Sequence, residues 1–435
     1  RCAEAEILVD FPRMHPRDRN GLDRRQFLGR SAAAVVGLSG GASLLAACGG
    51  NGGNGGGGGA AKTTTAAFEL ARRDHPVTLP LHDDNPSIAS GLEPERATLK
   101  IYNWIDYLDK KTVKKFAKEF GVKTQISTFT TMDEAIAKIR SGGVDFDIFF
   151  PTIDRLGKLV AAKLLQPINL DYIPNLQMNI WPELQDPFYD QGSRYTVPYV
   201  IYTTGIGYRT DKVAPPPDDF PNPYDVFFET KYKGRTFLLD DYREAMGMLL
   251  LRNGVTDVNT GDEAALEQVR KDLLDLNDKV NAKVSVLDYT YVPEGRAWVH
   301  EAWSGDFVSA QYYLPKGTSY EVLGYWYPPG GGGLIGNDII TIPRAAKNPV
   351  LAHHFLNFML DETNAYENFY NFVGYQPPQK NLDPNRLVAD EVVPPHLAST
   401  VVRPEDFEKG YTLLELAPDV DARWQNIWAE FKAGV

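Results

Sequence analysis

The chain has almost no cysteine. Two occur in 435 residues, Cys2 and Cys48. Both precede the part that reads as folded, so that part has no disulfide, no cysteine metal site and no thiol nucleophile. Histidine is nearly as scarce, and the adjacent His353 and His354 face different directions on a helix, unlike the i, i+4 pair that shares a metal. Basic residues are in deficit, 45 Lys and Arg against 57 Asp and Glu, for a net charge of -12. That balance disfavours nucleic acid and favours cationic partners. The glycine run Gly330 to Gly333 is followed by no Gly-Lys-Ser/Thr, so it is not a phosphate loop. No nucleophile elbow and no zinc-protease motif appears. Neither a metal nor a cofactor is expected.

What is present begins with an address. Arg24 and Arg25, followed by Phe27 and Leu28, resemble a twin-arginine export motif. Arg30 adds charge, and Ala32 to Leu45 form an apolar core too short and glycine-rich to span a bilayer stably. The run Leu45-Ala46-Ala47-Cys48 resembles a bacterial lipobox, which would make Cys48 an acylated N-terminus. Residues 1–47 therefore read as a leader and lipoprotein signal peptide. The residues before Asp23 read as a long cytoplasmic leader, and the missing initial Met suggests an incomplete start. Residues 48–96 read as the lipidated cysteine, a glycine-rich tether and a polar, Pro- and Asp-rich linker without periodicity. The expected location is the periplasmic or extracytoplasmic face of a membrane, held by acyl chains. No later segment is long and apolar enough to span. Without residues 1–47 the charge falls to -14, because that segment carries seven basic and five acidic residues.

From about Ala97 the pattern is globular. Leu99 and Ile101 alternate with polar neighbours as in a strand, and Val113, Phe116, Ala117 and Phe120 recur at helical spacing up to Gly121. Val122 to Thr128 alternates again, Met132 to Arg140 is helical, and Phe146 to Phe150 is a continuous apolar run suited to a buried parallel strand. Further helices are predicted over 156–165, 244–252, 262–277, 350–361 and 423–432. This strand-helix rhythm predicts an open α/β sheet with right-handed crossovers, and the length suits two lobes. Ligands of such sheets bind beyond the carboxyl ends of the strands and between domains.

Those strand ends carry aromatics and carboxylates. The first ends in Tyr102-Asn103-Trp104-Ile105-Asp106-Tyr107, another in Asp240-Asp241-Tyr242-Arg243-Glu244, a third in Trp303-Ser304-Gly305-Asp306. Asn337-Asp338 and Gly374-Tyr375 follow later. With Asp147-Ile148 before Pro151, Thr196-Val197-Pro198-Tyr199, Tyr232-Lys233-Gly234 and Ile342-Pro343, these motifs stand in an order that resembles the spermidine/putrescine-binding proteins of bacterial ABC importers. The resemblance runs from Leu99 to Gly434. It implies an α/β, two-lobed periplasmic-binding-protein-like fold of type II with the ligand in the cleft between lobes. The lobes expected are residues 97–198 with 340–380, and 199–339 with 381–435. By matching position, Trp104, Asp106, Tyr107 and Thr152 come from the first lobe. Asp241, Glu244 and Trp303 come from the second, with Asp306 three residues on, and Asp338 and Tyr375 lie near the crossovers. The implied function is capture of a polyamine, spermidine or putrescine, by a monomer that delivers it to ABC permease subunits and catalyses nothing.

The chemistry agrees with the name. Ammonium groups seek carboxylates and aromatic faces, and the methylenes between them seek flat apolar walls. Taken singly, each of these Asp residues reads equally as a cap or solvated turn, and each aromatic as core. Asp241 and Glu244 have the spacing of a capping box. Three features depart from the family pattern that the resemblance implies: Gly336 stands where members usually carry an aromatic two residues before the cleft Asp, Asp154 where a Tyr often follows the hydroxyl residue, and the C-terminal helix has no Gln at the expected place. The cleft is therefore expected to be more acidic and less walled than usual. Asp154 either binds a further ammonium or caps the helix at Arg155. Two other functions remain open: the same role with a different small solute, and an exported hydrolase using paired carboxylates.

Overall fold

The computed structural model describes residues Glu69 to Gly434. Arg24, Arg25, Cys48 and the glycine-rich tether lie outside the described residues. Among the described residues, no helix is long and apolar enough to cross a membrane.

The first lobe is built on three parallel strands. Strand β1 (Thr98–Trp104) buries Leu99 and Ile101 completely on its inner face. Asp109 then caps helix α1 (Lys110–Phe120) by accepting the Lys111 N–H, and Gly121 ends it in the left-handed region. Strand β2 (Lys123–Phe129) pairs with β1 from Thr98↔Lys123 to Trp104↔Phe129. Helix α2 (Met132–Ser141) runs from its Thr131 cap to Gly142, and β3 (Ile148–Phe149) pairs with the other edge of β1. The order is β2-β1-β3. Helix α3 (Leu156–Ala161) follows and is shorter than the helix expected to reach Leu165.

The second sheet is larger and mixed. Its strands are β4 (Val197–Arg209), β5 (Thr236–Leu238), β6 (Lys283–Val284), β7 (Val299–Trp303) and β8 (Leu323–Trp326), in the order β6-β5-β7-β4-β8. Strand β9 (Leu334–Ile340) pairs antiparallel with the first half of β4, from Val197↔Ile340 to Thr204↔Leu334. The second half of β4 pairs with β7 and β8. Just beyond β9, Thr341 bridges to Phe149 of the first sheet. The pair β4–β9 thus carries the chain from one lobe to the other. Helices α4 (Tyr242–Arg252), α5 (Glu263–Asp275) and, at the far end of the chain, α9 (Pro418–Ala433) pack around Leu249, Val269 and Trp424 in the second lobe. The short helix α6 (Ser304–Ala310) continues directly from β7, while α7 (Pro349–Met359) and α8 (Glu362–Asn368) cover the first lobe, where Phe355 meets Phe116.

Two boundaries differ from expectation. Residues 69–96, read as linker, are laid along the first lobe. Val77 and Leu79 are buried, the Val77 N–H donates to the Phe188 carbonyl at 2.8 Å, and Asn85 Nδ2 donates to the Leu165 carbonyl at 2.8 Å. Further on, Glu95 accepts the Leu351 N–H at 2.8 Å at the start of α7. The segment lacks periodicity because, apart from two tight turns at Arg72–His75 and His82–Asn85, its polar groups bond to the lobe. The tail is divided as well. The expected second lobe includes residues 381–435, yet Val402 and Phe407 pack into the first-lobe core.

Candidate functional site

Between the lobes lies a recess with about 460 Å³ of empty space, part of it open to solvent. Thr152 and Asp154 enter it from the loop after β3, Asp241 and Glu244 from the start of α4, and Tyr202 and Gly336 from the two crossing strands. Thr412 and Leu413 close one side.

Each carboxylate there is held in a definite way. Asp241 caps α4, accepting the N–H groups of Arg243 at 2.8 Å and Glu244 at 3.2 Å. Glu244 does not return the bond, so the expected capping box is only half formed; its Oε1 instead accepts the indole N–H of Trp303 at 3.1 Å. Its other oxygen is buried and meets no donor among the described residues. Burial, and then the charge of Asp241, push the Glu244 carboxyl up to about 8. Asp154 does not cap the helix at Arg155. It lies inside the tight turn Ile153–Arg155, accepts the Thr152 hydroxyl at 2.5 Å, and has the Arg155 guanidinium at 3.6 Å. Arg155 is shared between Asp154 and the Tyr242 hydroxyl, to which it donates at 2.8 Å, while Arg243 is turned away, donating to the Leu414 carbonyl at 2.7 Å and to Asn259 at 2.7 Å.

A second group of acids and aromatics is anchored on the first lobe and α6. The Tyr107 hydroxyl donates to Asp338 Oδ2 at 2.6 Å. Tyr107 is itself fixed from behind, where the Tyr199 hydroxyl donates to its carbonyl at 2.6 Å and Asn368 of α8 donates to Tyr199 at 2.8 Å. Burial raises the Asp338 carboxyl to about 7. The Tyr375 ring stands edge-on to Tyr107 at 4.9 Å. Gly305 permits this, since a Cβ there would lie 2.2 Å from the Tyr375 ring; the motifs at Trp303 and Gly374 are thus two halves of one packing contact. Trp104, half-buried at the end of β1, rests on Phe129 at 4.6 Å, and its indole nitrogen is buried without an acceptor among the described residues.

Asp106 and Asp306 fall in a neighbouring cluster that sequence reasoning saw only in part. Asp106 adopts a left-handed backbone, φ 53°, which Asp tolerates better than most residues. Its Oδ2 accepts the Tyr289 hydroxyl at 3.3 Å. Asp306, in the first turn of α6, faces Asp288, which is fully buried with no donor among the described residues on either carboxylate oxygen. Burial, and then the like charge of Asp306, raise the carboxyl of Asp288 well above the usual range, and burial raises Asp306 as well. Asp288 and Tyr289 carry no sequence signal, lying in a single helical turn, Asp288–Tyr291, between β6 and β7. Tyr202 sits inside an apolar strand and reads as core. His353 is structural: its Nδ1 faces the Pro349 carbonyl at 2.6 Å, and its Nε2 accepts the Asn169 N–H at 2.9 Å. Among the described residues, no group of His, Cys, Asp and Glu is arranged to hold a metal ion.

Two lobes joined by paired crossing strands, with an acidic and aromatic recess between them, define a two-lobed solute-binding protein. The chain belongs to the bacterial extracellular solute-binding proteins, whose family profile matches residues 111–394. The spermidine/putrescine-binding periplasmic protein of Salmonella typhimurium is 30% identical over 298 residues, covering 68% of this chain and 81% of that protein. A putrescine/cadaverine-binding protein of Pseudomonas aeruginosa is 28% identical over 273 residues, 62% of this chain and 76% of its own length. Among solved structures, a spermidine/putrescine ABC transporter substrate-binding protein of Streptococcus pneumoniae superposes with a TM-score of 0.63 at 26% identity, covering 78% of this chain and 99% of that one. Each of these relatives is named for binding or transport and none for a reaction.

Proposed function

We propose that this protein captures a cationic polyamine, putrescine or spermidine, in the interlobe cleft and hands it to the permease of an ABC importer, without catalysing a reaction. The observation that carries the reading is the convergence of Asp154, Asp241, Glu244 and Asp338 with Tyr107, Tyr202, Trp303 and Tyr375 around one cleft, where Arg155 pairs with Asp154 and, among the described residues, no ion pair reaches Asp241, Glu244 or Asp338. A dication is costly to bury unless each charge is paired, and this cleft offers separate carboxylates for separate ammonium groups. Trp104, Asp106, Thr152 and Asp306 complete the set we assign to the ligand. The resemblance of Arg24-Arg25 and Cys48 to an export and lipidation signal supports a lipid-anchored protein on the outer face of the cell membrane.

Calorimetric titration with putrescine and spermidine at two salt concentrations tests the ligand. Saturable one-to-one binding that weakens with salt is expected; no heat and no thermal shift with either amine would overturn the assignment. The anchor is tested separately by Cys48→Ser, which should move the protein from the membrane fraction to the soluble one. Retention in the membrane fraction counts against lipidation at Cys48.

A further inference from the structure

Gly336 and Tyr202 face each other across the β4–β9 ladder as register partners. A Cβ at position 336 would lie 2.9 Å from the Tyr202 hydroxyl oxygen and 3.0 Å from Cζ of its ring. The phenol therefore occupies the space that a side chain on Gly336 would need. Both residues line the recess that contains Asp154, Asp241 and Glu244. The Tyr202 ring also stands edge-on to Tyr375 at 6.1 Å, extending the row of rings that begins with Tyr107. It is only half-buried, unlike Val200, Ile201 and Thr203 beside it. Burial first, and then the charges of Asp338, Glu244, Asp154 and Asp241, hold its hydroxyl in the neutral form, which places the phenol among four carboxylates.

Resting on the polyamine reading above, we infer that Tyr202 is the aromatic wall of this cleft, transferred from β9 to the facing strand β4, with Gly336 as the vacancy that admits it. Gly336 is the position at which the sequence resemblance implies an aromatic, and the ring that fills its space comes from the opposite strand. Chemically the exchange is not neutral. A tyrosine presents a π-face to ammonium groups and an apolar edge to methylenes. A phenol hydroxyl can also donate to a carboxylate without changing the charge of the site. The cleft is therefore walled, and the expectation of a barer site fails because Tyr202 reads as core in the sequence.

The test is a double-mutant cycle on the full chain, read by polyamine titration and by thermal unfolding. Tyr202→Ala should weaken binding by about 5- to 30-fold, the range of a cation–π contact. Gly336→Trp should weaken it by about tenfold or more and lower the melting temperature, because the new ring and Tyr202 claim one space. Tyr202→Ala combined with Gly336→Trp should recover both affinity and melting temperature relative to Gly336→Trp alone. Unchanged affinity in Tyr202→Ala, or strictly additive losses in the double variant, would overturn the exchange. If the unaltered protein binds neither amine, the polyamine assignment fails. The melting temperatures then decide the exchange by themselves: recovery in the double variant supports it, additivity removes it.

Discussion

Asp338 is held by one bond and exposed to one need. Tyr107 fixes its Oδ2 at 2.6 Å, and burial raises its carboxyl to about 7. A bound ammonium would supply the charge that this buried carboxylate lacks. Asp338→Asn keeps the shape and leaves an amide oxygen for Tyr107, so the fold should survive. Polyamine affinity should fall by more than about tenfold, since a charge-assisted bond is replaced by a neutral one. Equal affinity in the variant, measured by titration, would remove Asp338 from the site. The legibility of single residues follows from what each one does locally. Asp338, Glu244 and Trp303 come from the match to family motifs, because an acid or aromatic at a strand end reads by itself equally as cap, turn or core. Asp241 was visible for two reasons at once, as a cap and as an acid, and the structure gives it both positions. Tyr202 was not visible, since an aromatic inside the apolar run Val197 to Ile206 carries the same pattern whether it faces core or cleft. Asp288 was invisible because nothing local marks a lone acid whose partner, Asp306, lies on another element.

At the scale of elements, periodic segments were readable and the segments between them were not. Helix α1, with its alternating core face, Asp109 cap and Gly121 stop, is specified by neighbours a few residues apart. The strap formed by residues 69–96 is specified by contacts eighty or more residues away: Asn85 with Leu165, and Arg194 Nη1 with the Leu79 carbonyl at 2.8 Å. A polar segment without periodicity is therefore ordered or disordered according to the surface it meets. The strap should contribute measurably to the first lobe. Leu79 is only 2% exposed, and Leu79→Ala should lower unfolding stability by about 2 kcal/mol or more in a denaturant titration. A loss below about 0.5 kcal/mol, the range of ordinary surface substitutions, would mean that the segment merely lies on the lobe and that the linker reading was sound. The same reasoning explains the divided tail. Val402 and Phe407 belong to the first-lobe core although they lie beyond most second-lobe elements, and sequence position alone could not sort them.

On the scale of the whole molecule, the net charge of -12 is concentrated in function by where a few acids sit. Burial lifts Glu244 to about 8, and lifts Asp338 and Glu415 to about 7. These groups hold protons in the folded protein that the unfolded chain releases near pH 4. Their contribution to stability is thus fully present below about pH 4 and is lost as pH rises through about 7 to 8. The buried histidines act with the opposite sign: His300 is lowered to about 3 by burial, and His353 is lowered too. Their contribution is lost as pH falls below about 6.5, the ordinary imidazole value, so above that pH they add no slope. Between about pH 6.5 and about pH 8.5 the carboxylates act alone, and the ligand-free protein should melt several degrees lower at the upper end. A bound polyamine reverses the balance, because each ammonium favours the ionised carboxylate it meets. Binding should therefore release protons, measurable as a dependence of the titration heat on the buffer's ionisation enthalpy, and the ligand's thermal shift should grow with pH across the same interval. A melting temperature that stays flat or rises without ligand, together with heats independent of buffer, would show that the cleft acids are already ionised when empty. Burial would then not be holding these carboxyls protonated, and a cation would be drawn by charges already present in the empty cleft.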